Sequence, residues 1–116
     1  MIYRSKKYLE WIRKQRSVAP PKHMFNYDAF DDMVPAHQRI AGGNGGTGIK
    51  PHDTFAIPLK ATQHANEHSG DFWGDVDRHK LIVQHICKYL DEKHNINGWK
   101  ECAVFLTEMM DREGIK

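Results

Sequence analysis

Cysteine is scarce in this 116-residue chain: only Cys87 and Cys102 are present, with no CxxC pair. A disulfide framework is therefore not expected, which fits a reducing cytoplasm. Both cysteines fall among apolar residues on predicted helices, where buried thiols are common. No apolar run approaches the length of a bilayer span and no signal-peptide pattern opens the chain, so no membrane partner is expected. Charge of one sign is lacking too, since 17 basic against 15 acidic residues leave a balance of +2, too mild to name a partner. No repeat is found, and low complexity is confined to a glycine-rich tongue. A Walker motif is missing, because Lys50 stands between Ile49 and Pro51 rather than in a Gly-Lys-Ser/Thr run. That sets nucleoside triphosphates aside. Neither a Ser-His-Asp arrangement nor an activated cysteine is present.

What is there suits one globular domain over residues 1–116, with 40% hydrophobic and 28% charged residues. Its charge is unevenly spread. Residues 1–16 carry Arg4, Lys6, Lys7, Arg13, Lys14 and Arg16 against the single acid Glu10. Tyr8, Trp11 and Ile12 form an apolar stripe among them, which predicts a helix over 4–16 with a basic outer face. Such a face is either a plain solvated surface or a contact for a polyanion such as nucleic acid. The prolines of "VAPPKH" end this helix. An irregular stretch follows, with the acids Asp28, Asp31 and Asp32.

The next zone predicts a strand near 34–40, a glycine loop, a second strand near 54–58 and a helix over about 60–68. Two further helices are expected, over 77–90 and 99–112, separated by "HNINGW" with an asparagine or Gly98 as cap. "DFWGD" before them predicts a capping turn with Phe72 and Trp73 in the core.

The central zone is where chemistry concentrates. His64 and His68 stand at i and i+4, one face of a helix, close enough to hold one metal ion through two imidazoles. Two exposed histidines also arise at that spacing by accident, so a third group is needed. His37 on the first strand can be returned by the hairpin, and Asp53 before the second strand adds a carboxylate to orient an imidazole or bind the metal. The tongue "AGGNGGTGIKP" reads as a plain flexible connection or as a loop against a DNA backbone, with Arg39 and Lys50 at its ends. Glu67 and His52 could assist the site, but a solvated helix position and a surface turn are the simpler readings. His23, His79, His85 and His94 lack partners at suggestive spacing.

In order, "AHQR", "GGTGIKPHD", "FAIPL" and "QHANEH" resemble the HNH endonucleases, and within them the small phage-type branch that includes recombinase-dependent nucleases. The likeness is clearest over 34–70 and looser over "KKYLEWIRKQRS". It implies an α+β fold built on a ββα-metal (His-Me finger) core with flanking N- and C-terminal helices. The implied activity is metal-dependent hydrolysis of DNA phosphodiesters. By resemblance His37 is the base that polarises water, Asp53 the middle residue that fixes it or the metal, and His64 and His68 ligands of one divalent cation (Mg²⁺, Mn²⁺, Ni²⁺ or Zn²⁺). His37 itself is a further possible ligand. DNA contacts are expected from Arg39, Lys50, Arg13 and Lys14. A recombinase or another phage or host protein is a possible partner, and a phage- or prophage-encoded protein in a bacterial cytoplasm is implied; the oligomeric state is open.

Three departures stand out. Gln38 occupies the place where many relatives have a second histidine, which makes a catalytically weak DNA-binding module the alternative reading. The structural-zinc cysteine pairs of many relatives are missing. The middle residue is Asp rather than Asn.

Overall fold

The computed structural model of the chain describes residues 4–20, 32–40 and 50–96. Its architecture is α+β: a two-stranded antiparallel sheet with helices before and after it. The first helix, α1, spans Lys6–Arg13. Ser5 starts it, its hydroxyl accepting from the Tyr8 N–H at 3.1 Å, which is why serine suits a helix N-cap. Tyr8, Trp11 and Ile12 are buried on one face while Lys6, Lys7, Arg13 and Lys14 are exposed. α1 stops three residues short of the expected Arg16, because the following chain is drawn towards the sheet. Ser17 Oγ donates to Gln63 Oε1 at 2.5 Å, and the Val18 N–H donates to the Pro58 carbonyl at 3.0 Å.

Strand β1, Met33–His37, pairs with β2, Ala56–Lys60, in the register Pro35 opposite Pro58 and His37 opposite Ala56. The facing prolines account for that register. Neither has an N–H to give, so they fit a position where the ladder makes no bond between the strands. The Pro58 carbonyl instead faces outward and receives Val18. A 3₁₀ turn, Asp53–Phe55, closed by the Phe55 N–H donating to the His52 carbonyl at 2.9 Å, precedes β2. It takes up the residues where that strand was expected to begin.

Helix α2 covers Ala61–Asn66 and α3 covers Arg78–His94. α2 ends before His68. α3 starts on Asp77, whose Oδ1 accepts from the Lys80 N–H at 3.2 Å, and outruns the expected Leu90 by a turn. Asn95 closes it in the left-handed region with φ 53°, a conformation asparagine tolerates.

Two apolar clusters hold these parts. Tyr8, Trp11 and Ile12 of α1 pack on Tyr89 and Leu90 of α3, with Tyr8 and Tyr89 edge to face at 4.9 Å. Cys87 packs half-buried at the edge of this cluster. Ala36 and Leu59 of the sheet pack on Ala19 and Phe72, with Trp73 against them, as the "DFWGD" turn leads one to expect. Burial of side chains this size stabilises by about 1.5–3 kcal/mol each. No helix among the described residues is long and apolar enough to cross a membrane. The glycine tongue at 41–49, Asp28, Asp31, His23, Cys102 and the helix expected over 99–112 lie outside the described residues.

Candidate active site

His37 is the last residue of β1, and Asp53 opens the 3₁₀ turn that leads back into β2. The hairpin brings them together: His37 Nε2 lies 2.7 Å from Asp53 Oδ1. Asp53 is only 3% exposed and its carboxylate is fully engaged. Oδ2 accepts the Ser5 backbone N–H at 2.7 Å, and the Arg4 guanidinium stands 3.4 Å from Oδ1. Arg4 belongs to the basic segment in the sequence but points inward. It donates to the Pro51 carbonyl at 2.5 Å and the Lys50 carbonyl at 2.8 Å, tying the start of α1 to the turn.

These contacts set the electrostatics. Burial alone pushes the Asp53 carboxyl up. The hydrogen bonds from His37 and the Ser5 N–H, with the charges of His37 and Arg4, outweigh it and hold Asp53 below the usual carboxylate range. Asp53 is thus an acceptor, so His37 donates to it from Nε2–H, and in the neutral ring the lone pair falls on Nδ1. Nδ1 has no hydrogen-bond partner among the described residues. His52, next to Asp53, is half-buried rather than a plain surface residue. Burial first, and then the charge of Arg4, push its imidazole down.

A second histidine–carboxylate pair lies at the end of α2, and sequence reasoning missed half of it. Glu67, read there as a solvated position, is buried, and its Oε2 contacts His64 Nδ1. Gln38 donates from Nε2 to Glu67 Oε1 at 2.8 Å and to the Ala36 carbonyl at 3.0 Å, while its own Oε1 accepts from Arg78 Nη1 at 2.9 Å. Successive residues of an extended strand turn opposite ways, so His37 reaches Asp53 and Gln38 turns towards Glu67. The one signal for Glu67 in the sequence is its place between two histidines.

The donors divide when tested against a divalent cation. His64 fits: its Nδ1 rests on a carboxylate, as ligand imidazoles usually do, and the ring is 43% exposed with Nε2 left over. His68 lies beyond the helix end, exposed. His37 rests on Asp53 in the same manner with Nδ1 left over, but its side chain is only 13% exposed. Among the described residues no three His, Cys, Asp or Glu side chains gather as a metal site, so the expected set of His37, His64 and His68 is not brought together.

The expected DNA contacts are spread over several elements. Arg13 and Lys14 are exposed at the end of α1, Arg39 is exposed just after β1, and Lys50 is exposed ahead of the 3₁₀ turn. Lys14 also lines a cleft of 360 Å³ between α1 and α3, with Lys7, Lys93 and His94 around Trp11 and Tyr89. Of the remaining histidines, His85 is half-buried with Nδ1 on the Leu81 carbonyl at 2.7 Å, a structural contact, and burial pushes its imidazole down.

The sequence profile of a family described as a protein of unknown function (DUF968) matches residues 1–96, a span that holds both histidine–carboxylate pairs. No curated protein and no solved structure matches the chain.

Proposed function

The chain belongs to the DUF968 family, and we propose that it is a small metal-dependent DNA endonuclease of HNH type, with β1, the 3₁₀ turn, β2 and α2 as its ββα-metal core. The observation that carries this reading is the His37–Asp53 pair. A buried carboxylate, fixed from three sides, holds one imidazole nitrogen and leaves the other to take a proton from water. The order strand–turn–strand–helix, with a base on the first strand and an oriented imidazole on the helix, supports the same reading.

In this scheme His37 Nδ1 accepts the proton of the attacking water and Asp53 steadies the imidazolium that results. Arg4 and the Ser5 N–H keep Asp53 ionised and in place. His64 and His68 would hold the divalent cation, which when bound supplies stabilisation of charge on the phosphate and the leaving oxygen. Arg13, Lys14, Arg39 and Lys50 would contact phosphates of the strand, so DNA affinity falls as salt rises. The setting is the cytoplasm of a bacterial host, for a phage- or prophage-encoded protein, with a recombinase or another phage or host protein as a further possible partner. The second reading is a catalytically weak DNA-binding module of the same fold, favoured by the spacing of the metal donors among the described residues, where no three gather.

Cleavage of supercoiled plasmid with Mg²⁺, Mn²⁺, Co²⁺, Ni²⁺ or Zn²⁺, and with chelator, separates the two. The expected outcome is metal-dependent nicking that His37→Ala abolishes while DNA binding stays nearly intact. Binding without cutting under every metal would leave the DNA-binding module. Loss of metal binding in His37→Ala would make His37 a ligand rather than the base.

A further inference from the structure

Glu67 is an unfavourable residue where it stands. It follows α2 directly, at the negative end of a helix dipole, where a carboxylate is repelled. Its side chain is only 3% exposed, although its neighbours Asn66 and His68 are in solvent, and burying a carboxylate costs free energy unless donors meet it. Two side chains do meet it: Gln38 donates from Nε2 to Oε1, and His64 Nδ1 lies against Oε2, an atom of an ionised carboxylate that can only accept. Local rules broken and then compensated in this way are expected where a residue serves a site.

Gln38 is held just as firmly. Its oxygen faces the Arg78 guanidinium, which can only donate, and its nitrogen faces a carboxylate and a backbone carbonyl, which can only accept. The amide therefore has one orientation, and at 1% exposure it has no path to an outside ligand. We propose that Arg78, Gln38 and Glu67 form a relay that positions His64, fixing its proton on Nδ1 and presenting Nε2 outward to a divalent cation. This deepens the nuclease reading and rests on it. Gln38 is then a residue recruited to hold the carboxylate behind a ligand, rather than a second ligand that was lost.

The test begins on the metal-free protein, where proton–nitrogen correlation spectra of the ¹⁵N-labelled imidazoles report the tautomer of each histidine. Neutral His64 is expected as the Nδ1–H form in the native chain and as a mixture in Glu67→Gln. Mn²⁺ titrated alone should bind roughly 10- to 100-fold more weakly to Glu67→Gln and Gln38→Leu than to the native protein, by analogy with other carboxylates behind ligand histidines. Arg78→Lys, which keeps a donor without the guanidinium fork, should give the same change in smaller degree. A purely structural role would lower the melting temperature without moving the tautomer. An Nε2–H form of His64 in the native chain overturns the relay, as does Mn²⁺ affinity within twofold in all three variants, or no Mn²⁺ binding to the native protein. The nuclease reading fails separately, through a protein that binds Mn²⁺ and shows the expected tautomer yet cuts no DNA.

Discussion

His37 and His64 each rest one ring nitrogen on a buried carboxylate, but on opposite nitrogens: His37 uses Nε2 against Asp53, His64 uses Nδ1 against Glu67. The carboxylates are equally hidden, at 4% and 3% exposure, whereas the rings are not, at 13% for His37 and 43% for His64. What anchors each carboxylate differs more deeply. Asp53 is bound to the backbone of α1's first turn and to an arginine that also grips two backbone carbonyls, so the pair is part of how the chain closes. Glu67 is held by side chains alone. On the roles proposed above, the histidine that takes a proton is the one tied to the frame, and the one that meets a cation is aimed by side chains and left more open.

The sharpest way to break this contrast is to remove Asp53. Asp53→Ala leaves the Ser5 N–H without its acceptor and Arg4 and His37 without their carboxylate. The expected cost is about 3 kcal/mol of stability, as for breaking a buried charged cluster from one side, together with loss of any DNA cleavage. Urea unfolding of native and variant protein measures the first; a cost no larger than that of Glu67→Ala would erase the distinction drawn between the pairs. Acid offers a gentler probe. Because folding lowers the Asp53 pKa below its ordinary value of 3.8, the unfolded chain binds the proton more readily, and stability rises with pH through this range. Its contribution is complete above that ordinary value and fades as pH falls through it towards the lower folded value. The melting-temperature gap between native protein and Asp53→Asn should therefore narrow below about pH 4.

Gln38→His separates the resemblance to HNH enzymes from the geometry found here. Read as a missing second histidine, Gln38 is the position to restore. Read as part of the relay, its replacement takes the orienting donor from Glu67 and the acceptor from Arg78 in a site with no room for a new ligand. The expected result is a stability loss of about 1–3 kcal/mol from buried groups left unpaired, with no gain in cleavage and weaker Mn²⁺ binding. A faster enzyme would show that the side chain can turn outward.

The contrast between the pairs also marks what could be read in the sequence. The apolar stripe of α1, the body of α3 and the Phe72–Trp73 turn were legible because each follows from local spacing. Asp53 was legible because a hairpin between two short strands returns it to His37. Glu67 was not, since on a helix wheel it is one more polar residue at a helix end. Its burial depends on Gln38, 29 positions away, and on Arg78, which reaches Gln38 across 40. Arg4 was hidden by its company, since nothing in a run of basic residues tells which one turns inward. The strand bounds shifted for a similar reason: a 3₁₀ turn held by Arg4 and Ser5 took Thr54 and Phe55, where the second strand was expected to begin.

The smallest effect belongs to His68, and it bears on whether the second pair works alone. His68 is exposed beyond the end of α2. In the metal-free protein His68→Ala should change stability by no more than about 0.5 kcal/mol, the usual range for a surface substitution. If His68 joins His64 on the cation, the rise in melting temperature that Mn²⁺ produces should shrink in His68→Ala and vanish in His64→Ala, by the mass-action link between binding and stability. Scanning fluorimetry with and without Mn²⁺ measures both changes at once. An undiminished rise in His68→Ala would leave His64 as the sole helix ligand and place the remaining donors of the cation elsewhere in the chain or on the DNA itself.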